Sequence, residues 1–207
     1  MVISKGSFER LDLRTQDKPA ALQHALRTHT IGRNAELHAE IGSTNTRAVE
    51  LAHAGATDGT LVLAESQTRG RGRLGRRWHA PPGSSLLMSL LLRPSLLPRQ
   101  AQRLTMVCSL GAVEAIGTVT GLQAWVKWPN DIYMRERKLG GVLTELGLVG
   151  PTLAFAVIGM GLNVNLDVAA LPDVMTPATS LSSTLGHAVP RLDLLIAMLE
   201  AIERRYD

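Results

Sequence analysis

Apolar positions along this chain fall into blocks with two different periods. Leu37–Ile41 reads as a short strand that ends at Gly42. Ser43-Thr44-Asn45-Thr46 follows, and then the helically spaced run RAVELAH. A hydroxyl or amide side chain ahead of such a run marks a helix start, so helix is expected over 46–54. Thr60–Ala64 (TLVLA) is continuously apolar, as a buried strand is, and SLLMSLLLRP, after the break HAPPGSS, reads as a second. Gln100–Thr118 carries Leu104, Val107, Cys108, Gly111, Ala112 and Ala115 at the spacing of a core helix.

After Gly121 the pattern turns to strands. Ala124–Trp128 is one; Ile132–Met134 and Leu139–Leu146, joined by the charged turn RERK, form a hairpin; Thr152–Ile158 is another. An amphipathic helix closes the chain over Leu192–Tyr206. Residues 1–35 are polar, with one modest helix near Ala20–Arg27 after Pro19. Strands that follow one another without intervening helices make the sheet at least partly antiparallel. The class expected is therefore α+β, with a mixed, partly antiparallel central sheet flanked by helices, rather than a doubly wound fold.

Length and composition narrow this further. A chain of 207 residues suits one domain, and 45% hydrophobic against 19% charged residues is enough to bury a core. Aromatics are 3%, so that core must be aliphatic. The single cysteine, Cys108, excludes an intrachain disulfide and any multi-cysteine metal site, and its apolar surroundings read as a buried, inert thiol. The N-terminus has no long apolar run and no stretch approaches ~20 apolar residues, so neither a signal peptide nor a membrane span is expected. A soluble cytoplasmic protein is the expectation.

The formal charge of +4 is mild, yet QTRGRGRLGRRW (67–78) gathers Arg69, Arg71, Arg73, Arg76 and Arg77 with Gly70, Gly72 and Gly75 between them. GRGRLG formally matches the dinucleotide fingerprint G-x-G-x-x-G, but Pro81 and Pro82 follow where that fingerprint needs a helix. Phosphate chemistry suits the stretch better. Guanidinium groups grip phosphate or carboxylate bidentately, and glycines let the backbone approach a ligand. Single-stranded nucleic acid is the competing ligand, although such sites interleave aromatics and only Trp78 is near. A plain surface loop would mix both signs of charge, and no acid lies between Gln67 and His79.

Three further clusters carry candidate chemistry. In Lys127-Trp128-Pro129-Asn130-Asp131, Pro129 ends the strand and leaves Asn130 and Asp131 at its terminus, where they can face a ligand; taken alone, the pair reads better as a turn. Lys138-Leu-Gly-Gly141 opens an apolar strand with one of only four lysines, which can reach a phosphate or carboxylate or simply flank a hairpin. Gly159-Met-Gly-Leu-Asn163-Val-Asn165 follows the strand AFAVI, where glycine marks a close approach by ligand or backbone. The six histidines show no paired ligand spacing, there is no HExxH, and nothing resembles a nucleophile elbow, so no protein-held metal site is expected.

Taken in order, Ser43-Thr44-Asn45, Gln67 with GRGRLGR (70–76), KWPND (127–131), KLGG (138–141) and GMGLN (159–163) resemble the biotin protein ligases, whose catalytic domain is related to lipoate ligases and class II synthetases. The resemblance implies a two-step ligation with ATP, biotin and Mg²⁺: biotin's carboxylate attacks the α-phosphate to give biotinyl-5′-adenylate, which a lysine of a biotin carboxyl carrier protein then attacks. By the family's pattern Ser43, Thr44, Asn45 and Gln67 hold biotin's ring. Arg71, Gly72 and Arg73 close over biotin and the adenylate, and Lys138 grips the carboxylate and α-phosphate. Gly141, Gly159 and Gly161 shape the biotin pocket. Arg71, Arg76, Trp78, Asn130, Asp131, Lys138 and Asn163 lie toward the nucleotide. Lys138, Arg73 and Asp131 are the catalytic candidates, Asp131 also as a base for the acceptor lysine.

The resemblance further implies a leader over 1–35, a catalytic domain over 36–207 and, since the leader is too short for a DNA-binding domain, a monofunctional ligase with no DNA partner. The small C-terminal barrel of many members is absent from this chain, no membrane partner is expected, and a homodimer is left open. Two alternatives remain: a lipoate or octanoate ligase of the same superfold, and an Arg/Gly nucleic-acid-binding module.

Overall fold

The computed structural model describes residues 18–170 and 177–207. Just under half of the expected leader, residues 1–17, therefore lies outside the described residues. The order of elements is α1 (Lys18–Ala25), β1 (Ala35–Ile41), α2 (Thr44–His53), β2 (Thr60–Gln67), β3 (Ser85–Leu92), α3 (Gln102–Thr120), β4 (Trp125–Lys127), β5 (Asp131–Met134), β6 (Arg137–Val149), β7 (Thr152–Asn163), α4 (Leu181–Leu185) and α5 (Arg191–Tyr206).

The strands form one seven-stranded sheet in the order β1-β2-β3-β7-β6-β5-β4. The β1–β2 pair is parallel and every other pair antiparallel. This is the mixed α+β sheet expected from the succession of strands.

Side chains alternate across each strand, and the two faces have different fates. On one face Leu61 and Leu63, Leu86, Met88, Leu90 and Leu92, and Ala156, Ile158, Met160 and Leu162 join Leu104, Cys108, Leu195 and Leu199 of α3 and α5 in the main core. Leu22, Leu26 and Ile31 of the N-terminal segment are buried in this same core. On the opposite face α2 covers Val62, Leu91, Phe155 and Val157 through Ala48 and Ala52. This second apolar cluster is small because α2 is short. Beyond its N-terminal end the face continues with Gly159, Gly161, Gly141 and Ser89, small residues that leave a hollow.

Several boundaries move, each for a physical reason. α1 runs over Lys18–Ala25, not 20–27, so Pro19 stands in its first turn, where a missing N–H costs nothing. α2 begins at Thr44, not Thr46, because Ser43 is the residue whose side chain accepts from Thr46 N. α3 runs on to Thr120 and stops at Gly121, which has φ 71°. β2 continues to Gln67 beside β1. β7 does not stop at Ile158: Gly159–Asn163 is strand, held by ladders to β3 on one side and β6 on the other. β4 ends at Lys127, and Trp128 is exposed. The hairpin turn is only Arg135-Glu136, so Arg137 and Lys138 belong to β6. α4 has no counterpart in the sequence reading; five residues are too few for periodicity to show, and Ser180 caps them.

Candidate active site

The hollow beside α2 is a cavity of about 730 Å³. Three glycines form its floor. A Cβ on Gly159 would run into the Asn45 amide, one on Gly161 into the Trp78 ring, and one on Gly141 would lie 3.3 Å from Asp131 Oδ1. At Gly159 and Gly161 a side chain would displace its neighbour, whereas at Gly141 the Asp131 carboxylate would have to give by a few tenths of an ångström.

One wall comes from the start of α2 and the end of β2. Gln67 Oε1 accepts from Thr44 N at 2.8 Å and from Thr44 Oγ1 at 3.2 Å. Ser89 Oγ donates to Asn45 Oδ1 at 2.6 Å and shares a second hydrogen bond with Thr44 Oγ1 at 2.8 Å. Asn45 Nδ2 donates to Glu145 Oε2 at 2.7 Å. Thr44, Asn45 and Ser89 are buried, so each of their hydrogen bonds fixes a direction as well as satisfying a polar atom. With Gln67 Oε1 taken, the amide NH₂ of Gln67 has no protein acceptor among the described residues.

The arginine loop forms the roof. Its backbone folds back on itself: Gly72 N donates to Arg76 O at 2.7 Å and Trp78 N to Gly70 O at 3.0 Å. The tip, Leu74 and Gly75, has positive φ at both residues, and Leu74 is 88% exposed. Arg71 Nη2 reaches Glu145 Oε2 at 2.8 Å and Thr46 Oγ1 at 3.3 Å. Arg73 Nη1 reaches Asn130 Oδ1 at 2.9 Å. Trp78 turns its ring onto Gly161, and its Nε1 is buried without a partner among the described residues.

The far wall is the β5–β6 hairpin. Lys138 Nζ lies 2.6 Å from Asp131 Oδ1. The Lys138 backbone is clamped by the segment 177–179, donating to Pro177 O at 2.8 Å and accepting from Thr179 N at 2.9 Å. Asn130 is fixed by Nδ2 on Val142 O at 2.8 Å. Asn163, buried at the end of β7, donates to Thr179 O at 3.0 Å and so braces the segment that holds Lys138.

The fold thus brings together every residue the resemblance assigned to ligands: Ser43, Thr44, Asn45, Gln67, Arg71, Gly72, Arg73, Arg76, Trp78, Asn130, Asp131, Lys138, Gly141, Gly159 and Asn163 all line this one cavity. Arg76 stands exposed at the rim, and the amide NH₂ of Asn163 is already engaged by the backbone. Two polar contributors escaped the sequence reading, Ser89 and Glu145. Both were accessible from alternation: Glu145 is two strand steps beyond Gly141, and Ser89 is the polar interruption in an otherwise apolar strand. Among the described residues five cations (Arg71, Arg73, Arg76, Arg77 and Lys138) line the cavity against one carboxylate, Asp131. This excess of positive charge has the spacing and sign that suit an anion larger than a single phosphate.

The model of the biotin/lipoate A/B protein ligase family matches residues 37–163. This chain belongs to that family. Among curated relatives of this ligase-family domain, the bifunctional ligase/repressor BirA of Bacillus subtilis is 37% identical over 186 residues, covering 89% of this chain and 57% of the relative. The biotin–[acetyl-CoA-carboxylase] ligase of Mycobacterium tuberculosis is 34% identical over 199 residues, covering 91% and 71%. Among solved structures, a biotin protein ligase from Aquifex aeolicus in complex with biotin and ATP superposes with a TM-score of 0.72 at 33% identity, over 84% of this chain and 70% of that one. A biotin protein ligase from Leishmania major in complex with biotinyl-5-AMP does so with 0.67 at 26% identity, over 82% and 73%. The chain therefore spans little more than half the length of the Bacillus relative.

Outside the cavity, Cys108 is fully buried in α3, and burial pushes its thiol up to about 12. Among the described residues no group of three or more His, Cys, Asp or Glu could hold a metal, and no helix is long and apolar enough to cross a membrane.

Proposed function

We propose that this chain is an ATP-dependent biotin protein ligase, which activates biotin as biotinyl-5′-AMP and transfers it to a lysine of a biotin carboxyl carrier protein. The observation that carries this reading is the continuity of the cavity. A neutral hydrogen-bonding wall (Thr44, Asn45, Gln67) runs without interruption into a cationic one (Arg71, Arg73, Lys138). An uncharged ureido ring with an acidic tail, followed by a polyphosphate, has that polarity.

In this reading Gln67 donates its free amide N–H to the ureido oxygen, and the glycine floor admits the fused rings. The tail then delivers its carboxylate beside Lys138. Attack by that carboxylate on the α-phosphorus forms the acyl–phosphate bond and breaks the bond to the bridging oxygen, releasing pyrophosphate. Both reactants are anions, so preorganised positive charge lowers the barrier. Lys138, already held by Asp131 and by its clamped backbone, supplies it at the reacting atoms, while Arg71 and Arg73 supply it from above. Transfer of Lys138 from Asp131 to the substrate leaves the Asp131 carboxylate free to take a proton from the acceptor lysine. That amine attacks the acyl carbon, and AMP departs.

With one cavity carboxylate among the described residues, Mg²⁺ would be carried mainly by the substrate's own phosphates, with Asp131 and neighbouring amide oxygens as the protein groups that would hold it. The ion would neutralise phosphate charge. The roof also shields the adenylate from water. An octanoyl-transfer reading needs a nucleophilic cysteine, and Cys108 is buried away from the cavity.

ATP–pyrophosphate exchange with biotin, lipoate and octanoate offered separately tests the assignment, together with mass spectrometry of the bound product. Biotin alone should support exchange and leave an adenylate on the protein. Exchange driven by lipoate or octanoate, and not by biotin, would overturn it.

A further inference from the structure

Glu145 has no place in the chemistry just described, yet it stands where two parts of the site meet. One oxygen, Oε2, accepts from Asn45 Nδ2 at 2.7 Å and from Arg71 Nη2 at 2.8 Å. Asn45 belongs to the neutral wall and Arg71 to the roof. From Arg71 an unbroken chain of hydrogen bonds runs through Glu145, Asn45, Ser89 and Thr44 to Gln67. It crosses the loop, β6, α2, β3 and β2, elements far apart in sequence.

We infer that Glu145 is a positioning residue that couples the arginine roof to the ligand-facing wall: it holds Arg71 down over the cavity and fixes the direction of the Asn45 amide. The argument rests on the functional reading above and on three features of the geometry. First, direction: Asn45 is buried, with Oδ1 accepting from Ser89 and Nδ2 donating to Glu145. Nδ2 also reaches Leu143 O, at the longer distance of 3.4 Å, so loss of the carboxylate removes the shorter, charged acceptor that favours this orientation of the amide over its flipped alternative. Second, charge: Glu145 is the carboxylate that pairs with a roof arginine among the described residues, and its side chain is 31% exposed. A half-exposed pair of this kind adds little to stability, so its effect belongs to placement. Third, location: Glu145 sits opposite Val157 in the β6–β7 ladder, a rigid mount in the sheet for a roof that is otherwise a loop. Among the described residues the loop's hydrogen bond to the far wall is Arg73–Asn130, and Arg71, on Glu145 at 2.8 Å and Thr46 at 3.3 Å, anchors it on the biotin side.

Glu145→Gln and Glu145→Ala separate the two roles. The glutamine keeps a neutral acceptor for Asn45 and loses the charge that holds Arg71; the alanine loses both. Glu145→Gln should leave the KM for biotin within about twofold of wild type and speed release of biotinyl-5′-AMP about tenfold, a loss typical of one charge-assisted hydrogen bond. Glu145→Ala should add a rise in biotin KM of about tenfold, with kcat for pyrophosphate exchange changed much less. In an Arg71→Ala background, Glu145→Gln should speed adenylate release no further, because the partner is already gone. Thermal melting of all four proteins reports on folding, which a merely structural residue would disturb without the split between the two variants.

Release and KM values in both Glu145 variants equal to wild type would overturn the inference. So would independent, multiplying effects of Arg71→Ala and Glu145→Gln on release. A wild-type protein that forms no adenylate would overturn the functional reading itself, and this inference with it; normal wild-type activity with unchanged Glu145 variants would remove the inference alone.

Discussion

Lys138 reaches Asp131 at 2.6 Å because Leu139 is an extra residue in the β5–β6 ladder. Asp131 pairs with Gly141 and Ile132 with Gly140, but Tyr133 pairs with Lys138, so Leu139 has no partner. Strict alternation from Gly141 would turn Lys138 to the other face of the sheet. The bulge reverses the parity, buries Leu139 in the main core and brings Lys138 into the cavity.

Lys138→Ala should therefore lower adenylation far more than stability. We expect pyrophosphate exchange to fall by about 10²–10³-fold, the cost of one preorganised charge at the reacting centre, with the melting temperature little changed. Equal exchange rates in mutant and wild type would refute the role given to this lysine.

Arg73→Ala removes the roof's contact with Asn130. Biotin and adenylate should dissociate faster, about tenfold for one charge-assisted hydrogen bond, in a protein that melts as before. Surface plasmon resonance or a chase with unlabelled ligand reads this directly, and unchanged dissociation counts against the arginine's part in retention.

Gly159→Ala puts a methyl where the Asn45 amide lies. The amide must leave its bonds to Ser89 and Glu145, so biotin affinity should drop at least tenfold alongside a destabilisation of about 1–3 kcal/mol. Calorimetric titration with biotin would show normal affinity if the floor had slack.

Glu203, in α5, accepts backbone N–H bonds from His29, Thr30 and Ile31 at 2.7–3.0 Å. Burial alone would raise its pKa, but the three donors together hold it below the usual 4.5. A carboxylate whose folded value is depressed stabilises the fold above its unfolded value, and that contribution fades as pH falls through the folded one. Glu203→Gln should cost about 1–3 kcal/mol at pH 7, and the deficit against wild type should shrink below about pH 4. Urea unfolding at a series of pH values measures it; a pH-independent deficit would remove the electrostatic explanation.

Cys108 is 0% exposed, with a thiol pushed up to about 12. Iodoacetamide at neutral pH should label it only after unfolding, and Cys108→Ala should keep full exchange activity. Labelling of the folded protein that abolished activity would reopen acyl transfer through this sulfur.

The core strands and the two long helices were legible because burial imposes a period that only local sequence has to satisfy. The long apolar runs of β2 and β3 sit between neighbours on both sides, and α3 and α5 carry their apolar stripes toward the same core. Local reading failed where pairing overrode propensity. Gly159 and Gly161 end a strand by intrinsic preference, yet ladders on both sides of β7 carry it through to Asn163. The charged turn RERK shrank to two residues because Arg137 and Lys138 found partners in β5.

By itself the sequence determined which residue types were available for chemistry: arginines with glycines, a helix start of hydroxyls and one amide, a lysine beside Gly140 and Gly141, and no metal-binding spacing. Only the tertiary structure decided which of them meet. Ser89 and Glu145 became part of the site through hydrogen bonds to α2 and the arginine loop, Asn163 became a brace for the Lys138 segment, and a one-residue bulge set the face on which Lys138 appears. Composition and periodicity are properties of neighbours along the chain, whereas a binding site is a set of distances between strands, and those depend on register.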